Sequence, residues 1–198
     1  MRKKLIIGNW KMNMNVSQAS MLLHRLQEHV KIRRNIDVVL APNMLALQPL
    51  SVQLDRRKFK LAAQNAYQKD DGPFTGEVSF SMLRDLVSYV IIGHSDRRLK
   101  FGETMVDTRE KVVAAVRNGL TPVLCVGETD SERKLGETKQ VIQDQVLSGV
   151  RDLTSEDIEN IVIAYEPVWA LSTGVDYMHH ATPKPADIEN AEHIIRSN

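Results

Sequence analysis

Three side chains in this sequence have the types and settings of acid–base chemistry. Glu166 ends the apolar run IVIAY (161–165) and is followed at once by Pro167, within AYEPVWALSTG (164–174). A carboxylate at the mouth of a buried strand is partly desolvated, so its proton affinity is expected to rise toward that of a general base. His94 follows the apolar VIIG (90–93) and precedes SDRR (95–98). A helical turn starting at Ser95 points backbone N–H groups at the imidazole and favours its neutral form, a hydrogen-bond donor to a carbonyl oxygen. Lys11 is an ammonium just past the first apolar run, with Asn9 as its polar neighbour. Each also has an ordinary reading. Glu166 can cap a loop or pair with a surface lysine, His94 can be a buried histidine satisfied by backbone, and Lys11 can snorkel at the surface.

These residues need a scaffold, and the chain repeats one. The runs KLIIGN (4–9), DVVLAP (37–42), KLAAQN (60–65), YVIIGH (89–94), TPVLCVGE (121–128) and IVIAYEP (161–167) are short and rich in Val, Ile and Leu. Parallel strands buried on both faces read this way. Helical stripes lie between them: Met21, Leu22, Leu26 and Val30; Val112, Val113 and Val116 with Gly119 as C-cap; Ile142, Val146 and Val150; then Ile188, Ala191, Ile194 and Ile195. Alternating strand and helix means α/β with a parallel sheet. Polar residues gather at the C-terminal ends of several strands: Asn9 and Lys11, Gln64 and Asn65, His94 and Ser95, Glu128, Glu166. A barrel draws its site from many strand ends, whereas a doubly wound sheet uses one switch point. The strand ends therefore favour a parallel (β/α) barrel of about six βα units, in one domain over residues 1–198.

Composition narrows the function classes. The 198 residues carry a formal net charge of +1, which argues against a nucleic-acid partner or an electrostatic membrane surface. KIRR (31–34) reads as a solvated helix end. Cys125 is the single cysteine, so no intrachain disulfide forms, and a reducing cytoplasm fits. The apolar stretch after MRKK is too short for a signal segment, and no run approaches a membrane span. His24, His29, His179, His180 and His193 lack metal-site spacing, so no metal is expected.

GNWKMN (8–13), AQNAY (63–67), GPFTGEVS (72–79), IIGHSDRR (91–98), PVLCVGE (122–128) and AYEPVWALSTG (164–174) together resemble the triosephosphate isomerases, in order along nearly the whole chain. The resemblance implies a cofactor-free enzyme of glycolysis and gluconeogenesis that interconverts dihydroxyacetone phosphate and glyceraldehyde 3-phosphate through an enediolate. It implies Glu166 as base, His94 as electrophile and proton shuttle, and Lys11 with Asn9 as substrate-binding electrostatics. PVWALSTG becomes a closing lid in which the Ser172 N–H grips phosphate. GPFTGEVS becomes a loop reaching into a second subunit through Thr75, which makes the protein a homo-oligomer. Ser95 and Asp96 support the site.

The sequence departs from that family at three places. Asp96 stands where the family has glutamate, one methylene longer, so its hydrogen bonds to Ser95 and Lys11 are expected to be lost or bridged by water. Ser172 stands where the family has glycine and lacks its φ freedom. The chain stops at Asn198, so the resemblance implies a truncated TIM (β/α) barrel without strands 7 and 8 and their phosphate loops, either incomplete or closed through oligomer contacts. Losing three phosphate hydrogen bonds costs about 5–9 kcal/mol. That slows turnover some 10³- to 10⁶-fold. The alternative is a non-catalytic relic or assembly protein of the same fold. The strand runs KLIIGN and IVIAYEP become unprotected edges, and this too points to an oligomer, dimer or higher.

Overall fold

The computed structural model describes residues 3–31, 35–171 and 182–197. Six strands form: β1 (Lys4–Asn9), β2 (Ile36–Ala41), β3 (Lys60–Ala63), β4 (Tyr89–Ile92), β5 (Thr121–Val126) and β6 (Val162–Tyr165). The helices are α1 (Val16–His29), α2 (Met44–Gln53), α3 (Phe80–Leu83), α4 (Ser95–Phe101), α5 (Met105–Arg117), α6 (Asp130–Lys134), α7 (Thr138–Val150), α8 (Ser155–Glu159) and α9 (Pro185–Arg196). The strands hydrogen-bond in chain order, β1 through β6. The pairings of β1 with β2, β2 with β3, β3 with β4 and β5 with β6 are parallel. This is the expected alternation of strand and helix. Among the described residues no helix is long and apolar enough to cross a membrane.

The chain divides into two compact units, Met1–Ile91 with Ala114–Pro122, and Ile92–Val113 with Val123–Asn198. In the first, β1 and β2 run in register from Lys4 opposite Ile36 to Asn9 opposite Ala41. Val39, Leu40, Leu61, Phe59 and Phe80 are buried, and α1, which buries Ala19 and Leu23, packs on α2, which buries Leu47 and Leu50. A capping box starts α1, the Asn15 side chain accepting the Gln18 N–H while Gln18 accepts that of Asn15. Of the stripe expected here, Leu22, Leu26 and Val30 are half-buried but Met21 is 58% exposed, and Ala19 and Leu23 are the buried pair. Alanine is a weak hydrophobic signal, so the larger Met21 stands out in the sequence in place of Ala19.

In the second unit β5 pairs with β6 from Val123 opposite Val162 to Val126 opposite Tyr165. Helix α7 buries Ile142 and Val146, and it packs on α9, which buries Ala191 and Ile194. Several strands end earlier than their apolar runs. Residues 64–65, 93–94, 127–128 and 166–167 lie beyond the ladders, so the polar groups sit on the loops that leave them. Past several of these strands, side chains supply hydrogen bonds to the loop backbone.

One such side chain is Asn43, which caps α2 through Oδ1 to the Ala46 N–H at 3.3 Å. Its Nδ2 also donates to the carbonyls of Asn13 at 3.2 Å and Met14 at 2.7 Å. Asn43→Ala is expected to lower unfolding free energy by about 1–2 kcal/mol in chemical denaturation, the usual loss of a cap. Asn43→Asp, which keeps the cap and loses the two donations, should recover only part of it. Full recovery would show that the loop contacts contribute nothing.

Candidate active site

His94 is the N-cap of α4. Its Nδ1 accepts the Asp96 N–H at 3.0 Å, which assigns the ring proton to Nε2. Nε2 stands 2.8 Å from Glu166 Oε1, and Glu166 Oε2 accepts the Ser95 N–H at 3.0 Å. The two side chains are only 12% and 14% exposed. The expected turn at Ser95 thus forms, and it sets the imidazole Nε2 against a carboxylate. The expected rise in the proton affinity of Glu166 is not found. Burial pushes the carboxyl up, but the hydrogen bond and the charge interaction with His94, then the Ser95 N–H and the Arg98 charge, together hold it below its ordinary value. The sequence showed the burial of the acid and not its donors.

Two backbone approaches set this geometry. Gly127, just past β5, passes the Glu166 backbone so closely that a Cβ there would lie 1.8 Å from the Glu166 carbonyl oxygen. The Glu166 N–H continues the ladder to the Val126 carbonyl at 2.7 Å. Gly93 takes φ 69°, a left-handed turn that bends the chain out of β4 before His94. Its N–H donates to Glu103 Oε1 at 3.2 Å, and the other oxygen of Glu103 accepts from Arg97 and Lys111, both at 2.5 Å. This buried cluster clamps the turn from below. Sequence inspection missed it, because Glu103 lies on the connection between α4 and α5 and no helical spacing links it to Lys111.

A second buried carboxylate braces the segment behind Glu166. Glu128 is fully buried. It takes the Trp169 Nε1–H at 2.9 Å, and Tyr165 Oη lies 3.1 Å from both its oxygens. Burial and the Glu128 charge push the Tyr165 phenol up to about 12. Arg133 lies 4.0 Å over the Trp169 ring and pairs with Asp187 of α9 at 2.7 Å. Glu128 counted among the polar strand ends in the sequence; here it is a brace for the 3-10 turn Val168–Ala170. Ser172 and the end of the expected lid, residues 172–174, lie outside the described residues.

In the first unit Lys11 sits at φ 52°, left-handed backbone that L-residues avoid without support. The support is visible. Asn9 Oδ1 accepts the Lys11 N–H at 3.0 Å, and Gln64 Nε2 donates to the carbonyls of Lys11 at 3.0 Å and Ala41 at 2.8 Å. Thr75 is exposed on a loop that packs on itself, with Phe74 and Tyr67 rings 4.6 Å apart. Asp96 pairs with Lys100 at 2.8 Å, and its Oδ2 is 3.6 Å from His94 Nδ1. Cys125 is a core residue whose thiol is pushed up by burial and then by the Glu166 charge.

Two expected outcomes follow from this geometry. Because the folded Glu166 pKa is depressed, its contribution to stability is present above about pH 4.5 and is lost as pH falls through the folded value. Denaturation curves from pH 7 to 3 should therefore fall more steeply for the native chain than for Glu166→Gln, and parallel curves would refute the depression. Gly127→Ala forces β5 and the Glu166 backbone apart and should cost about 1–3 kcal/mol or more. A variant as stable as the parent would contradict the close pass.

Residues 4–198 match the family model described as triosephosphate isomerase. The chain is 44% identical over 197 residues to the triosephosphate isomerase of Carboxydothermus hydrogenoformans, covering 99% of this chain and 76% of that one. It is 38% identical over 195 residues to that of Ligilactobacillus salivarius, covering 98% and 74%, and 39% identical over 199 residues to that of Bacteroides fragilis, covering 100% and 76%. With its parallel strands, intervening helices and strand-end residues, the chain belongs to the triosephosphate isomerase family.

Proposed function

We propose that this protein is an isomerase that interconverts dihydroxyacetone phosphate and D-glyceraldehyde 3-phosphate by proton transfer. The observation that supports this best is the pairing of a proton-bearing His94 Nε2 with a buried, ionised Glu166 at 2.8 Å. While they pair, each satisfies the other. A substrate carbonyl oxygen that takes the Nε2 proton's hydrogen bond displaces Glu166 as acceptor. The carboxylate then keeps its burial and loses the donor that offset it, so its proton affinity rises when a C–H bond is beside it. Glu166 accepts the proton from the carbon next to the carbonyl. His94 donates from Nε2 to the carbonyl oxygen, giving an enediol(ate). Return of a proton to the neighbouring carbon, with His94 regaining its own from the other oxygen, completes the exchange with no net change in atoms or electrons.

Lys11 and Asn9 bind substrate in this reading. The Lys11 ammonium offsets the charge of phosphate and enediolate. Ser172 provides an N–H to the phosphate, and Ser95 and Asp96 hold the base and the imidazole. The chemistry assigned to these residues calls for no cofactor. A triose phosphate isomerase serves glycolysis and gluconeogenesis in the cytoplasm. Homo-oligomer assembly is supported by the exposed Thr75 loop and by β1 and β6, which stand at the two ends of the strand order.

A coupled isomerase assay tests the reading. Glu166→Gln keeps the shape and the His94 contact but removes proton acceptance, and kcat should fall about 10²-fold or more. Unchanged turnover would remove Glu166 from the mechanism. Light scattering at micromolar concentration should give a dimer or larger; a stable, monodisperse monomer would refute the assembly.

A further inference from the structure

At the N-terminal ends of β1, β2 and β3 the first unit has a half-open cavity of about 450 Å³. Six of its lining residues are cations: Lys3, Lys31, Arg56, Arg57, Lys58 and Lys60. Two carboxylates answer them. Asp37 is shared by Lys3 at 3.1 Å and Lys60 at 2.9 Å, and Asp55 pairs with Arg57 at 3.0 Å. Lys58 donates to the neutral Gln27 carbonyl. Six cations against two carboxylates leave an excess of four at one place, in a chain whose formal net charge is only +1. Lys31 and Arg56 are exposed, and among the described residues their side chains have no hydrogen bond or ion pair. The floor is apolar, with Ile6, 54% exposed, beside Val30 and Val38. A concave, cation-rimmed site focuses positive potential and gathers anions.

We propose that this cavity is a binding site for a small organic polyphosphate of the nucleoside di- or triphosphate class. The phosphates sit against Lys31, Arg56 and Lys58, and the organic body lies on Ile6, Val30 and Val38. Several clustered negative charges match the local excess better than a single phosphate does. A cavity of this volume falls in the range of small-ligand sites. A long nucleic acid would leave most of its charge outside it, against a chain with almost no net positive charge. The site is separate from the one proposed for substrate. Lys3 precedes β1 and Lys11 follows it, and the six-residue strand between them spans about 20 Å.

The test is calorimetric titration of the whole chain with ATP, inorganic tripolyphosphate and adenosine, without divalent cations, at low and at moderate salt. ATP should bind saturably at one site per chain, more weakly as salt rises. Tripolyphosphate should bind several-fold more weakly and adenosine not at all. The double variant K31E/R56E alters two exposed side chains without partners, so its melting temperature should stay unchanged while ATP affinity falls at least about tenfold. Lys11→Met should bind ATP as the parent does. Absence of saturable ATP binding, or equal affinity in K31E/R56E, overturns the proposal. Loss of binding in Lys11→Met assigns it to the substrate site and overturns it too, and so does tripolyphosphate binding as tightly as ATP, because the organic body then contributes nothing.

Discussion

A buried carboxylate can stay ionised only if something nearby replaces the water it gave up. For Glu166 that replacement is one imidazole N–H and one backbone N–H, from His94 and Ser95. Both donors come from the start of a single short helix, so the position of α4 decides whether the acid is ionised. The arrangement is self-limiting in a useful way. The donor that quiets the carboxylate is the same donor a carbonyl substrate needs, so binding substrate and strengthening the base become one event. A carboxylate held by a fixed lysine would lack this property, because the charge would stay when the substrate arrived.

Around that pair the second unit places two more buried acids, and they do opposite jobs. Glu103 faces the turn before His94 and ties Gly93 to Arg97 and Lys111. Glu128 faces the segment after Glu166 and ties Tyr165 to Trp169. Each is a hydrogen-bond hub whose loss would leave buried partners to be resatisfied, a cost far above that of a surface ion pair. Together they fix the histidine and the carboxylate from either side without contributing to the reaction. In the first unit the same logic operates through neutral groups. The amides of Asn9, Gln64 and Asn43 hold a loop that contains two left-handed non-glycine residues, Lys11 and Met14.

Much of this was readable in the residues, and the gaps have physical causes. The β-branched runs marked the six strands because burial on both faces leaves an unbroken apolar signature. Their ends were misjudged by one or two residues because Gly93 and Gly127 look apolar-compatible and act as exits. Glu166, His94 and Lys11 stood out through their position at those ends. The sign of the Glu166 shift did not, since it depends on a contact 71 to 72 residues away in sequence. Glu103 and Lys111 were invisible as a buried pair, because Glu103 lies on the connection before α5 and a lysine on a helix ordinarily signals a solvated face. The Met21 error in α1 came from weighing side-chain size over phase.

The sequence contains two tryptophans, and the structure sets them in different units and different surroundings. Trp169 has its indole N–H on a carboxylate and a guanidinium stacked on its face. Trp10 lies in the loop that carries Lys11, its backbone N–H bonded to the Ala41 carbonyl. An indole held between a fixed anion and a fixed cation sits in a strong internal field, which shifts and quenches its emission. Any rearrangement of the segment behind Glu166 therefore changes an optical signal at Trp169, while Trp10 reports on the lysine loop. The braces that make the site rigid also give it a native fluorescence readout, one chromophore for each unit, with no label attached.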